Sequence, residues 1–219
     1  IQANGKNEDA ISILDSYKIN INKELHDIIF KNSLPQLHNT PKYMLATPMM
    51  ALKNAAKVAD EQGFIPIILS DTLEGEAHAE GKKMAELALQ IKKDKKYKNI
   101  NLNKPIILLS GGETTVTVKG EGKGGRNTEF MLSMAINLDK MKGISALAID
   151  TDGIDGIEDN AGAYISENTL NKAGFSNKNP ENYLSNNDSY TFFKSIDDLI
   201  YTSPTLTNVN DFRAVLIEP

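Results

Sequence analysis

The chain has 219 residues, 40% of them hydrophobic, and a formal net charge of -5. That length suits one or two domains, and the acidic balance disfavours broad binding to a nucleic-acid backbone. Cysteine is absent, which excludes disulfide scaffolds, thiolate zinc sites and cysteine nucleophiles. No apolar run is long enough to span a bilayer. No signal-peptide pattern opens the chain, so the cytoplasm is the expected compartment. The chain begins Ile-Gln-Ala without an initiator Met, which points to a fragment or a processed product.

Periodicity predicts two short amphipathic helices over 8–17 and 22–32, with Ile11, Leu14, Leu25, Ile28 and Ile29 at helical spacing. Residues 33–41 are polar and carry two prolines, so they read as a linker. A β-α-β unit follows. Residues 43–46 are its first strand, and Pro48 starts a helix whose alanine face (Ala51, Ala55, Ala56, Ala59) stops at Gly63. Residues 65–69 form the next strand. A long helix over 76–93 leads to a third strand at 105–109. The lysines of 92–98 read as a solvated helix end, where they complement the dipole.

The second half is patterned differently. Residues 115–119 alternate as a half-exposed, antiparallel strand would. A glycine cluster, Gly120 to Gly125, then leads through Arg126 into a helix over 127–138. Residues 145–149 form a buried strand. Helices are expected at 167–173 and 189–196. Short strands at 199–202 and 214–217 bracket the loop 203–213. Apolar runs alternating with helices predict an α/β fold, a mixed and largely parallel sheet flanked by helices. The expected division is a helical remnant and linker over 1–40 and an α/β domain over 41–219.

Polar loops at 110–114, 120–127, 150–156 and 205–211 could converge on one cleft, because ligands in open α/β sheets bind beyond the carboxyl ends of strands. The strongest candidate is the glycine cluster. Glycines allow close backbone approach, a helix start offers unpaired N–H groups, and Arg126 adds a planar fork of donors. Together they suggest a site for phosphate or carboxylate. A glycine-rich hairpin with a solvated arginine is the plainer reading. Gly120, Gly122 and Gly125 also fit the G-x-G-x-x-G dinucleotide spacing, but the strand before them alternates. The phosphate-loop pattern fails, because Arg126-Asn127 stands where it needs Lys and Ser/Thr. Asp150, Asp152 and Asp155 resemble a calcium loop superficially, but Ile154 and Ala161 occupy ligand positions. They could hold Mg²⁺ or orient a hydroxyl, or simply close a turn. Asn186-Asn187-Asp188 could line the cleft or cap the helix at Ser189. His26, His38 and His78 lack metal-ligand spacing, and no Ser has a partnered His.

Several segments together resemble one family. They are Ser110-Gly111-Gly112-Glu113-Thr114-Thr115-Val116-Thr117-Val118, Gly124-Gly125-Arg126-Asn127-x-Glu129-Phe130, Thr151-Asp152-Gly153-Ile154-Asp155-Gly156, Asn187-Asp188-Ser189-Tyr190 and Pro204-Thr205-x-Thr207-Asn208-Val209-Asn210-Asp211. In this order they resemble the MOFRL domain, the C-terminal part of type 2 glycerate kinases, a family also named for hydroxypyruvate reductase. The resemblance covers residues 41–217. Asp150, Ser203 and Leu206 depart from it, each standing where family members often have Gly.

The resemblance implies a parent about twice this length, whose missing N-terminal domain supplies a catalytic lysine. The implied reaction transfers the γ-phosphoryl group of ATP to D-glycerate, giving 2-phosphoglycerate, with ATP and Mg²⁺ as cofactors. It implies catalytic roles for Arg126 and Asp152. Substrate or nucleotide would meet Ser110, Gly111, Gly112, Glu113, Thr114, Gly124, Gly125, Asn127, Asp155, Asn187, Asp188, Thr207, Asn208 and Asn210. Asp152 and Asp155 would be the metal ligands. The expected partners are glycerate, ATP and the missing domain, with no nucleic acid and no membrane; a homo-oligomer is compatible. The fragment is expected to be inactive alone. The competing readings are an NAD(P)-dependent hydroxypyruvate reductase and a ligand-binding domain without turnover.

Overall fold

In the computed structural model, which describes residues 7–31, 41, 43–175 and 178–219, the chain divides into two units, Ile1–Met44 and Leu45–Pro219. The first unit holds α1 (Asn7–Ser16) and α2 (Lys23–Lys31), close to the expected spans. The Asn22 side chain accepts a hydrogen bond from the Leu25 amide at 2.8 Å and so starts α2. Residues 33–40 of the expected linker lie outside the described residues.

In the second unit, Thr47 caps α3 (Pro48–Glu61) by accepting from the Met50 amide at 3.1 Å. Next come β1 (Ile65–Leu73), α4 (Ala77–Asp94), β2 (Lys96–Tyr97), β3 (Ile100–Asn101), β4 (Ile106–Gly112) and α5 (Arg126–Leu138). After these come β5 (Ile144–Asp150), β6 (Gly162–Ile165), α6 (Thr169–Phe175), α7 (Pro180–Ser185), α8 (Ser189–Lys194), β7 (Leu199–Ile200) and β8 (Asp211–Ile217).

Six strands form one sheet in the order β1-β4-β8-β5-β6-β7. The fold is the expected α/β fold with a mixed sheet, but the balance of pairing is not largely parallel. Only β1 and β4 pair in parallel; the other four ladders are antiparallel. The reason is β8. It inserts antiparallel between β4 and β5, which therefore point the same way without touching.

Other expectations need correction. Residues 43–46 are not a strand: β1 is the sheet's edge, no described strand lies beyond it, and Tyr43, Met44 and Leu45 are exposed. The alternating segment 115–119 forms a single bridge, Glu76 to Thr115. Its next polar groups are taken by side chains instead. The Thr117 amide and hydroxyl donate to Glu76, and the Lys119 amide donates to Asn187. The lysine-rich helix end is a helix end and more, since β2 and β3 fold back as a small hairpin.

Helices α4 and α5 share one face of the sheet with the main core. Phe130, Met131, Leu132 and Met134 of α5 are all at most 1% exposed. Each such side chain contributes roughly 2 kcal/mol on burial, against about 1 kcal/mol for a helix cap. Packing therefore fixes the axis of α5, and the residues at its start inherit that position. On the opposite face, Leu52 of α3 lies beside Gly111. That face also carries an apolar trough of about 460 Å³ lined by Ile107, Leu147, Tyr164, Ile200 and Leu216.

Candidate functional site

The ends of β4 and β5 meet the start of β8, and the register sets Asp211 directly opposite both Gly112 and Asp150. Period two along β8 puts Asp211 and Arg213 on the same side as the core residues Val215 and Ile217. Two charged residues are thus carried into the interior, where charge must be paired. Arg213 is 1% exposed and donates through Nη2 to Asp211 and to the Thr114 hydroxyl. Its Nη1 donates to the Gly111 carbonyl, and its guanidinium lies 5.0 Å from the Phe130 ring centre. Burial pulls its pKa down, with Asp211 opposing.

Arg126 is the first residue of α5. Its Nε donates to Asp211 Oδ1 at 2.9 Å, and its Nη2 donates to Asp150 Oδ2. Glu113, at the end of β4 and half exposed, stands 3.5 Å from the same Nη2. No described residue meets Nη1. Burial works against the charge on Arg126, but Asp211 and Asp150 outweigh it and its pKa is raised. Asp150 is pushed up to about 6 by burial, while the Asp152 amide and Arg126 pull it back.

The Asn127 and Thr128 amides at the start of α5 are already satisfied. Asp155 is fully buried; its carboxylate accepts from the Asn127 amide at 2.9 Å, the Thr128 amide at 2.8 Å and the Thr128 hydroxyl at 2.9 Å. A Cβ at Gly125 would overlap that carboxylate. The expected anion site on the helix backbone is therefore filled by the chain's own anion, and Asp155, Asn127 and Gly125 are framework there. Asn127 also donates through Nδ2 to Asp211 at 2.9 Å, which ties the cap to the arginine pair.

The other glycines have a similar explanation. A Cβ at Gly120 or Gly122 would strike residues 186–188, and one at Gly124 would strike the Ser189 hydroxyl. Asn187 accepts from the Lys119 and Gly120 amides at 2.7 and 2.9 Å and donates to the buried Glu129 at 2.9 Å. Burial raises the Glu129 pKa, with Asn187 and His78 opposing. Asp188 holds the N-cap position of α8 but makes no side-chain cap bond; its carboxylate accepts from the Lys123 amide instead. Gly124, Asn187 and Asp188 thus pin the glycine loop. No dinucleotide cradle forms there.

Ser110 is 2% exposed and its hydroxyl has no partner among the described residues. Gly111 is backed by Leu52 and Pro48, while Gly112, with φ of +101°, lies against the Leu73 backbone. Thr114 is bound by Arg213. Of this segment, Glu113 is the residue left with an exposed side chain. The last predicted group sits on the loop before β8. Asn208 donates to Asp152 Oδ2 at 3.0 Å and accepts from the Asn210 amide at 2.8 Å, while exposed Thr207 donates its amide to Thr205.

Of the two aspartates expected to bind metal, Asp155 does not fit Mg²⁺. Asp155 is sealed beneath α5, and Asp152 engages one oxygen with Asn208 and the other with the Ile154 amide. Among the described residues no three acidic or histidine side chains gather as a metal site. The sequence placed Asp150 and Asp211 in the polar loops without pairing either with Arg126, and Arg213 was left out of the site. The available signal was the Asp-Phe-Arg-Ala-Val-Leu-Ile pattern, which puts two charges on the apolar face of a strand.

Residues 106–211 match the model of the MOFRL family. The chain is 45% identical over 216 residues to an Agrobacterium vitis protein with the provisional name hydroxypyruvate reductase, covering 96% of this chain and 55% of that one. It is 37% identical over 210 residues to D-glycerate 2-kinase of Thermotoga maritima, covering 96% and 49%. The crystal structure of Thermotoga maritima glycerate kinase superposes with a TM-score of 0.86 at 35% identity, over 97% of this chain and 50% of that one. The chain spans about half the length of the curated relatives it matches. No described helix is long and apolar enough to cross a membrane.

Proposed function

We propose that this chain, whose residues 106–211 match the MOFRL family model, forms the part of a glycerate 2-kinase that presents Arg126 to the phosphoryl group passing from ATP to D-glycerate. In this reaction a glycerate hydroxyl oxygen bonds to the γ-phosphorus, the bond to the bridging oxygen of ADP breaks, and the hydroxyl proton leaves. Little covalent chemistry falls to the protein; its task is to position reactants and stabilise charge spread over the phosphoryl oxygens. A guanidinium suits that task because it is always charged and offers donors in a plane.

The observation that carries this reading is the state of Arg126. It sits beyond the strand ends of β4 and β5, held on one edge by Asp150 and Asp211, with Nη1 unmatched by any described residue. Glu113 stands beside it, and in this reading the polar loops carrying Asp152, Thr207, Asn208 and Asn210 serve glycerate or nucleotide. In this reading the rest of the ATP is held by groups outside the half of the relatives' length that the chain covers. The reductase name of some relatives finds less support. A dinucleotide would need the helix amides that Asp155 fills and the glycine faces that residues 186–189 cover.

Isothermal titration with Mg-ATP and with NADH tests this reading. Mg-ATP should bind saturably and Arg126→Gln should abolish the heat. NADH binding without ATP binding would replace the kinase with a reductase. Incubated alone with Mg-ATP and D-glycerate, the chain should give no 2-phosphoglycerate in an enolase-coupled assay. In-line transfer needs both reactants held, and misplacement by about 1 Å costs roughly a hundredfold.

A further inference from the structure

A guanidinium offers two edges to oxygen pairs, a side edge made by Nε and Nη2 and an end made by Nη1 and Nη2. In Arg126 the side edge is filled. Asp211 accepts from Nε at 2.9 Å and Asp150 accepts from Nη2. The two carboxylates stand directly opposite one another on β8 and β5, so the sheet itself sets their separation. Each is anchored a second time. Asp211 accepts from Asn127 Nδ2 at 2.9 Å and from Arg213, and Asp150 Oδ1 accepts from the Asp152 amide at 3.1 Å. Both are nearly fully buried, at 2% and 3% exposure, and so have little freedom to follow a moving arginine.

We infer that Asp150 and Asp211 are positioning residues that grip Arg126 by its side edge and turn its Nη1/Nη2 end toward the incoming anion. The inference rests on the reading of Arg126 as an anion clamp. It adds the direction of approach and the two residues that impose it. A planar donor pair recognises a phosphoryl or carboxylate group best when its own plane is fixed beforehand, because no ordering is then left to the moment of binding. Asp150 is the cleaner of the two to alter, since Asp211 also supports Arg213 and Asn127. Glu113, 3.5 Å from Nη2, is close enough to compete with the incoming anion.

The test uses the whole chain and inorganic pyrophosphate as the probe. Wild type, Asp150→Asn, Asp150→Glu and Arg126→Gln are compared by titration calorimetry, by melting, and by the ¹⁵N signals of the Arg126 guanidinium. A doubly held guanidinium rotates slowly and shows separate Nη1 and Nη2 signals. We expect Asp150→Asn to merge them and to weaken pyrophosphate binding about tenfold, the effect of losing one charge-assisted bond. Asp150→Glu, which keeps the carboxylate, should recover part of the affinity. If Arg126→Gln abolishes binding but Asp150→Asn leaves it unchanged or tightens it, the positioning role is wrong while the clamp stands. If wild type and Arg126→Gln bind pyrophosphate equally, or neither binds, the clamp itself is wrong and the positioning role goes with it.

Discussion

Within three residues at the start of α5, the protein meets negative charge in two opposite ways. The amides of Asn127 and Thr128 are closed, because Asp155 reaches under the helix and fills them. The Arg126 side chain next to them is half open, gripped on one edge and unmatched at Nη1 by any described residue. A glycine loop running into a helix start has the raw features of an anion site. What decides its use is whether the chain brings its own anion. Here it does, so the backbone serves the fold, and in the proposed reading the side chain is left for a ligand.

The sharpest way to break that contrast is to remove the internal anion. Asp155→Ala deletes the α5 cap, worth about 1 kcal/mol, and leaves buried donors unmet at about 1–3 kcal/mol. Urea denaturation should therefore show a loss of about 3 kcal/mol. A stable variant that bound pyrophosphate at the freed amides would mean that the closed half can be opened without harm.

Gly125→Ala should act next. Its Cβ would overlap the Asp155 carboxylate, and overpacking of this kind costs about 2 kcal/mol. Pyrophosphate affinity of the folded protein should be unchanged. Lost affinity at preserved stability would restore Gly125 to the ligand site. Asn187→Ala should cost about 1 kcal/mol, with faster hydrogen exchange at the Lys119 and Gly120 amides it holds. Unchanged exchange there would show that the glycine packing alone pins the loop.

The smallest effect concerns pH and the open half. Asp150 is raised from an ordinary 3.8 to about 6, mainly by burial. The folded state then binds this proton more tightly than the unfolded state does. Its contribution to stability is full below pH 3.8 and is lost as pH rises through about 6. The pull of Arg126 is already contained in that value, so Tm should fall as pH rises through about 6. Melting Asp150→Asn between pH 4 and 7 should give a flatter profile than wild type. Identical profiles would place the titration elsewhere.

Much of the scaffold was legible because periodicity survives in single elements. α3, α4 and α5 fall near their expected spans, as do the strands at 65–69, 105–109 and 145–149. Pairing was less legible, since it depends on partners distant in sequence. Nothing local in 211–217 reveals that β8 slots between β4 and β5. The alternation of 115–119 misled because Thr and Val alternate equally well along a segment pinned by Glu76 and Asn187. At the site, Arg126 stood out by its position after the glycines. Asp155 also stood out, but with the wrong role, because its distance from α5 in sequence hides the cap it makes. Arg213 was missed because one buried cation on a strand has no short motif.

In the proposed reading a ligand anion meets Arg126 and not the helix amides. Titrating the ¹⁵N-labelled chain with inorganic pyrophosphate tests it directly. The Arg126 guanidinium signals should shift and saturate, while the Asn127 and Thr128 amides, held by Asp155, stay in place. Saturable shifts at those amides with a silent Arg126 would contradict it.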